Sequence, residues 1–285
     1  MLTISGRLDV EVGARVALIR GPRSLETVRK SLETVEAEKI LSGRPVLIKV
    51  NFITTKRWDT GATTDPIIVE ALIQKVREVG GRVYVVESDA TATRADRAAE
   101  ATGMLSLCES YGVEFINLSK VGEKVKVKIP DRETLGEITV PKIVLESYIV
   151  SAAKMKTHSE TTVTLGLKNM FGLLPDRFKG KYHLKGISKV IVDINSVLRS
   201  ALTVIDGFVA MEGPGPVSGY PVRMDLVLAG RDPVATDATA ARVMGFDPHR
   251  IHHIRRCFEK GLGEIDQIQV LGERIQDVQR RFKPP

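Results

Sequence analysis

Cysteine is scarce in this 285-residue chain: Cys108 and Cys257 stand alone and far apart. Two such residues supply neither a disulfide framework nor the ligand set of structural zinc or an iron–sulfur cluster. Each is expected as a small buried hydrophobe, and no cluster is expected in the chain. Aromatics are also few, at 5% with a single Trp. They leave little to stack on bases, and no helix-turn-helix, zinc-finger or RNA-recognition pattern is present, which disfavours nucleic acid as a partner. No apolar run approaches the roughly 18 residues of a membrane-spanning helix. The opening MLTISGRLDVEVGARV lacks the basic start, apolar stretch and cleavage site of a secretory signal. A cytoplasmic protein without a membrane partner is the expectation.

What is present is an ordinary globular composition, 43% hydrophobic and 27% charged, enough to bury a real core. The net charge of +7 is unevenly placed. Between Ser151 and Lys189 lie Lys154, Lys156, Lys168, Arg177, Lys179, Lys181, Lys185 and Lys189, opposed only by Glu160 and Asp176. Nearly all of the excess sits there.

The clearest local grammar begins at Pro45, where ValLeuIleLysValAsn reads as a short buried strand. Asp65 and Pro66 then read as N-cap and first residue of a helix whose apolar positions Ile68, Leu72, Ile73 and Val76 share a face. Gly80-Gly81 stops it, and Arg82 to Glu87 reads as the next strand, parallel to the first through a right-handed crossover. Further on, Thr93 to Tyr111 is helical in composition, Val113 to Leu118 a strand, and Lys124 to Pro141 an exposed hairpin. Ile149 to Lys156 reads as a strand, Thr162 to Phe171 as a helix, Ile187 to Arg199 as a helix and Leu202 to Ile205 as a strand. Met224 to Ala229, a helix capped by Asp232, a helix from Pro248 to Lys260 and a strand from Ile268 to Leu271 complete the pattern. The fold class is α/β, with a mixed, largely parallel sheet core and flanking helices. It divides either into two lobes, residues 1–130 and 131–285, or forms one domain.

Two places could carry chemistry. The first is the mouth of the early unit: Lys49, Asn51 and the loop that ends in Thr64 and Asp65. Ligands of open α/β sheets bind at the carboxyl ends of strands, and a helix N-terminus favours an anion. The competing reading is a turn and a cap. The second is the stretch from Lys154 to Gly172. If strand geometry persists, Lys154, Lys156 and His158 leave on one face, and crowded lysines lower one another's pKa, which makes a usable base or nucleophile. Lys168 and Asn169 follow in a hydrophobic context. The competing reading is a solvated basic edge strand.

His183, in a Gly/Lys loop, is a candidate lid residue or part of an ordinary surface loop. Asp206-Gly207 and Glu212-Gly213 read as a bend at a strand end whose acids either pair with the lysines or react. Asp237 is a candidate for a buried polar role. His249, His252 and His253 offer ligand types on what reads as a surface helix, and no metal is expected there.

The ordered segments IleLysValAsnPhe, ThrThrAspPro, LysMetLysThrHis, ThrLeuGlyLeuLysAsnMetPheGly, AspGly with GluGlyProGlyPro, and GlyArgAspProValAlaThrAspAla resemble the domain-of-unknown-function 362 family over about residues 45 to 272. Members often occur beside a ferredoxin-like iron–sulfur module, whose clustered cysteines this chain lacks. The segment order is also similar to nickel-dependent lactate racemase, which implies proton transfer between lysine and histidine bases, although no pincer-cofactor site is matched. The expectation is a small anionic ligand held by Lys49, Lys154 and Lys168, oriented by Asn51 and Asn169, with Lys156 and His158 as acid and base. Thr64, Asp65, His183, Asp206 and Glu212 complete the candidate lining. The alternative is a noncatalytic protein that docks an acidic ferredoxin-like partner through its basic patch. No feature specifies a cofactor or an oligomeric state.

Overall fold

The computed structural model describes residues 14–285; the expectation of no secretory signal, and the first residues of the expected 1–130 lobe, lie outside the described residues. The strands are β1 (Ala14–Arg20), β2 (Val46–Lys49), β3 (Val83–Glu87), β4 (Glu114–Asn117), β5 (Lys124–Lys128), β6 (Glu137–Pro141), β7 (Tyr148–His158), β8 (Thr162–Thr164), β9 (Leu202–Glu212), β10 (Tyr220–Gly230) and β11 (Ile268–Gly272). Nine of them form one sheet in the order β11-β1-β10-β9-β7-β2-β3-β4, with β8 paired to β7 off that path. The run from β9 to β4 is parallel, as is β1 with β11, while β10 is antiparallel to both of its neighbours. This is the mixed, largely parallel sheet expected. β5 and β6 form a separate two-stranded sheet, and residue 130 falls in its connection.

Helices cover both faces, so central strands are apolar on both sides. In β1, Val16 and Leu18 enter one core while Ala17 and Ile19 enter the other, and Leu47 is separated from Val46 and Ile48 in the same way. The helices Leu25–Thr34 and Pro66–Glu78 lie over one face. The helices Ile187–Val197, Pro233–Val243 and His252–Glu259 lie over the other. Asp65 caps the second of these helices as expected, its carboxylate accepting from the Ile67 amide, with Pro66 at the first position. Cys108 and Cys257 are both buried.

Four local expectations are corrected. Thr93 to Tyr111 is two helices, Ala95–Ala101 and Met104–Ser110, parted at Gly103 with φ +79°. Thr162 to Phe171 is not one helix: Thr162, Val163 and Thr164 pair with β7, and a single helical turn, Gly166–Asn169, follows. The physical reason is that three β-branched residues suit a ladder, while the buried Asp237 carboxylate accepts from the Gly166 and Leu167 amides and starts the helix there. Asp206-Gly207 is no bend, because β9 continues through both to Glu212. The edge-strand reading of the lysines also fails, since β7 lies between β9 and β2.

Candidate functional site

β7 runs alongside β2, with Lys49 opposite Ser151, and then continues to His158 where β2 has stopped. The lysines of β7 therefore project past the carboxyl ends of β2 and β3, where open α/β sheets take ligands. The regular ladder with β8 puts Lys156 and His158 on one face, while the register against β9 shifts between Lys154 and Lys156. The end of β2 brings Lys49 and Asn51, and the end of β3 brings Glu87 and Ser88. The turn Gly166–Asn169 adds Lys168 and Asn169. The turn Gly180–His183 and the residue before it add His183 and Lys179.

Together these enclose a cavity of about 380 Å³. Its polar wall carries Lys49, Lys156, Lys168 and Lys179 against Glu87 and Glu160, and its apolar wall includes Phe52, Ile53, Phe171 and Val217. Gly172 lies against this pair, and a Cβ there would displace the ends of the Lys49 and Glu87 side chains.

The four lysines differ. Lys49 is buried and lies 2.8 Å from Glu87; it also donates to Asn169 Oδ1 at 3.2 Å and to the Val50 carbonyl at 2.6 Å. Burial lowers its pKa and the glutamate partly restores it. Lys156 is fully buried and donates to the Ala62 carbonyl at 2.6 Å. Burial, then Lys168 and Lys154, hold it well below the usual lysine range. Lys168 is pushed down to about 8 by burial, with Glu160 opposing, and makes no side-chain hydrogen bond or ion pair among the described residues. Lys179 is also pushed to about 8 by burial; it donates to Ser88 Oγ at 2.7 Å and lies 5.0 Å from the Phe171 ring centroid. At neutral pH the last two remain mostly cationic.

His158 departs from the near-neutral titration ordinary for histidine. Burial and then Lys168 and Lys156 push its pKa down to about 2, so the ring is neutral. Its Nδ1 accepts from the Glu160 amide at 3.1 Å, which leaves the proton on Nε2. His183 bonds Glu160 at 2.8 Å on the same wall. Asn169 ties the floor together: Oδ1 accepts from Asn51, and Nδ2 donates to the Lys49 carbonyl and to Ser151 Oγ. Two cavity-lining groups, Asn51 Oδ1 and Thr164 Oγ1, are buried with no hydrogen-bond partner among the described residues.

Lys49, Asn51, Lys156, His158, Lys168, Asn169 and His183 thus meet at one cavity, and the rest of the sequence-derived set does not. Lys154 is taken up by Asp206 at 2.7 Å, both side chains fully buried. Asp65 holds Arg23 in a two-pronged contact of 2.6 and 2.7 Å, and its amide donates to Asp206. Thr64 braces the loop, donating to the Ala152 carbonyl and accepting from the Asn51 amide. Glu212 accepts from the Lys283 amide and pins the last residues of the chain. Glu87, Glu160, Thr164 and Lys179 were not singled out as site residues. Glu87 closes the expected strand Arg82 to Glu87, so its place beside Lys49 was signalled by the sheet order alone. Lys179, next to the Gly/Lys segment that carries His183, is buried, with its ammonium on Ser88 Oγ.

Of the three late histidines, His249 bonds Asp266 at the surface, whereas His253 is fully buried with neither ring nitrogen partnered among the described residues, so the helix is not simply a surface one. Among the described residues no group of three His, Cys, Asp or Glu side chains could hold a metal ion. No helix of the described residues is long and apolar enough to cross a membrane.

Residues 46–242 match the family model described as a domain of unknown function, DUF362. The match runs from β2 into the helix Pro233–Val243 and so ends earlier than the motif comparison reached. A thylakoid-associated protein of Synechocystis sp. is 27% identical over 216 residues, which are 73% of this chain and 65% of that relative. The chain therefore spans just under two thirds of the relative's length. No solved structure gives a significant match.

Proposed function

We propose, for a chain that belongs to the DUF362 family, that it binds a small anionic metabolite in the lysine-lined cavity and carries out acid/base chemistry on it. The observation that carries this reading is Lys168, a cavity lysine without a carboxylate partner among the described residues, in a lining where four lysines face two glutamates. A bound anion would supply the missing counter-charge at low dielectric, where a charge-assisted contact is strong. Asn51 Oδ1 and Thr164 Oγ1 would take up polar groups on the same ligand, since leaving them unpaired costs free energy. The apolar wall fits a carbon skeleton of modest size. Lys156, an amine held low, would serve as the base, and His158, with its proton on Nε2, as a donor to an oxygen that gains charge.

Thermal stabilisation by a panel of sulfate, phosphate, carboxylates and nucleotides tests this, because a ligand of the native state raises apparent stability by mass action. At least one anion should stabilise the wild type. Lys168→Met and Lys179→Met should weaken its binding roughly ten- to hundredfold, as loss of a charge-assisted contact does. Lys181→Met and Lys185→Met, on exposed side chains, should leave it unchanged. Equal loss at all four would favour a diffuse basic surface that docks an acidic protein partner.

A further inference from the structure

We infer that Lys156 is a nucleophile whose amine condenses with a carbonyl compound bearing an anionic group, forming an imine inside the cavity. The inference rests on the anion-binding reading and adds a reaction class to it.

Three buried lysines sit in the layer at the ends of β2 and β7. Lys49 has the Glu87 carboxylate at 2.8 Å and Lys154 has that of Asp206 at 2.7 Å. Lys156 is as deeply buried, yet its side-chain partner is the neutral carbonyl of Ala62. A carbonyl can accept from a neutral amine as well as from an ammonium, so this contact does not require a charge on Lys156. The charged groups that face Lys156 are Lys168 from the turn after β8, Lys154 on its own strand, Lys49 from β2 and Glu87 from β3. Three cations thus oppose one carboxylate, and they act in the same direction as burial. A desolvated lysine next to other cations keeps its lone pair at neutral pH, and this is how an amine is activated for attack on a carbonyl.

The surroundings match what that attack needs. Lys168 and Lys179 would hold the anionic group. His158, on the same face of β7 and also lining the cavity, carries its proton on Nε2 and can donate to the carbonyl oxygen. Thr164, directly opposite Lys156 in the β7–β8 ladder, offers an unpartnered hydroxyl to the same oxygen. In the first step the amine lone pair forms the carbon–nitrogen bond, the carbonyl π pair moves to oxygen, and one amine proton follows it to give a carbinolamine. In the second step the nitrogen lone pair forms the double bond as the carbon–oxygen bond breaks. The oxygen leaves as water with the second amine proton, and no oxidant or reductant is consumed.

The test is reductive trapping with cyanoborohydride on the full chain at neutral pH, read by peptide mass mapping. The carbonyl probes are glyoxylate, pyruvate and 2-oxoglutarate, with formaldehyde as an uncharged comparison. An ordinary lysine is a free amine at neutral pH only to about one part in a thousand. Lys156 should therefore be modified at least about tenfold faster than exposed Lys181 and Lys185 by one or more of the oxo acids, and sulfate should slow it. Lys156→Met should abolish that product. Lys168→Met should move the pH at which formaldehyde modifies Lys156 upward, toward ordinary lysine behaviour, which a merely structural lysine would not do. Sulfate stabilisation with no preferential modification of Lys156 by any probe would overturn the imine while leaving anion binding standing. Rapid modification by formaldehyde and by none of the oxo acids would overturn the substrate class together with the anion reading.

Discussion

Replacing Lys154 with Met should cost far more than its conservative shape suggests. Lys154 and Asp206 are both fully buried and 2.7 Å apart, and Asp206 also accepts from the amides of Asp65 and Phe208. Removing the cation strands a carboxylate in the core, a change that typically costs about 3–5 kcal/mol. Against a total stability of roughly 5–15 kcal/mol this is a large fraction, and it corresponds to a drop in Tm of about 6–20 °C for a chain of this size. Urea unfolding at neutral pH is the assay. The pH dependence gives a second handle. Burial raises the Asp206 pKa and Lys154 opposes the rise. A group whose folded pKa is raised contributes stability that is complete below its unfolded value and is lost as pH rises through the folded one. Without Lys154 the folded pKa climbs further, so the deficit of the variant should shrink on acidification as Asp206 takes up a proton. Lys154→Met combined with Asp206→Asn should recover most of the loss. A single variant within about 1 kcal/mol of wild type, with no gain from the second change, would refute the reasoning.

Two more outcomes are expected. Asp65→Ala removes a helix cap and both prongs to Arg23, so it should destabilise by about 1–2 kcal/mol, the roughly 1 kcal/mol of a cap plus an Arg23 share discounted for its partial exposure; Asp65→Asn, which keeps a capping oxygen, should lose about half as much, and in urea unfolding equal losses would show that the cap contributes nothing, while an unchanged Asp65→Asn would show the same of the Arg23 charge. Sulfate affinity, followed by calorimetry, should be level well below pH 8 and decline as pH rises through about 8, because Lys168 and Lys179 lose their protons there; affinity that stays level above that range would remove both from the site.

Much of this was legible in the sequence because it is local. Asp65-Pro66 announces a helix, and the spacing of Lys156 and His158 announces a shared face. What the spacing could not tell was which lysine is free. That depends on counter-charges delivered by other strands, Glu87 to Lys49 and Asp206 to Lys154, and two lysines of equal apparent promise become a structural pair and a candidate nucleophile. Sheet order decides it, and sheet order is not local. His158 was misjudged for a related reason: its ordinary pKa places it near neutrality, and only the depth of the cavity and the lysines around it move it. β1 and the helix Leu25–Thr34 also carry local signals, an apolar ArgValAlaLeuIle run followed by Ser24, whose hydroxyl accepts from the Thr27 amide.

The position of β1 has a bearing on how the chain is made. It lies between β10 and β11, so the first of the described strands finds both of its ladder partners only among residues 220–272. A ribosome releasing the chain from its amino end would present Ala14 to Arg20 long before either neighbour exists. β2, β3, β4 and β7 can assemble in the order of synthesis, while β1 waits with two open edges. Such long-range closure slows folding and exposes apolar strand edges to other chains. A nascent chain arrested before β10 should therefore be more prone to aggregate, or to be held by a chaperone, than one arrested after β11, and the contrast should vanish when Leu18 and Ile19 are replaced by charged residues.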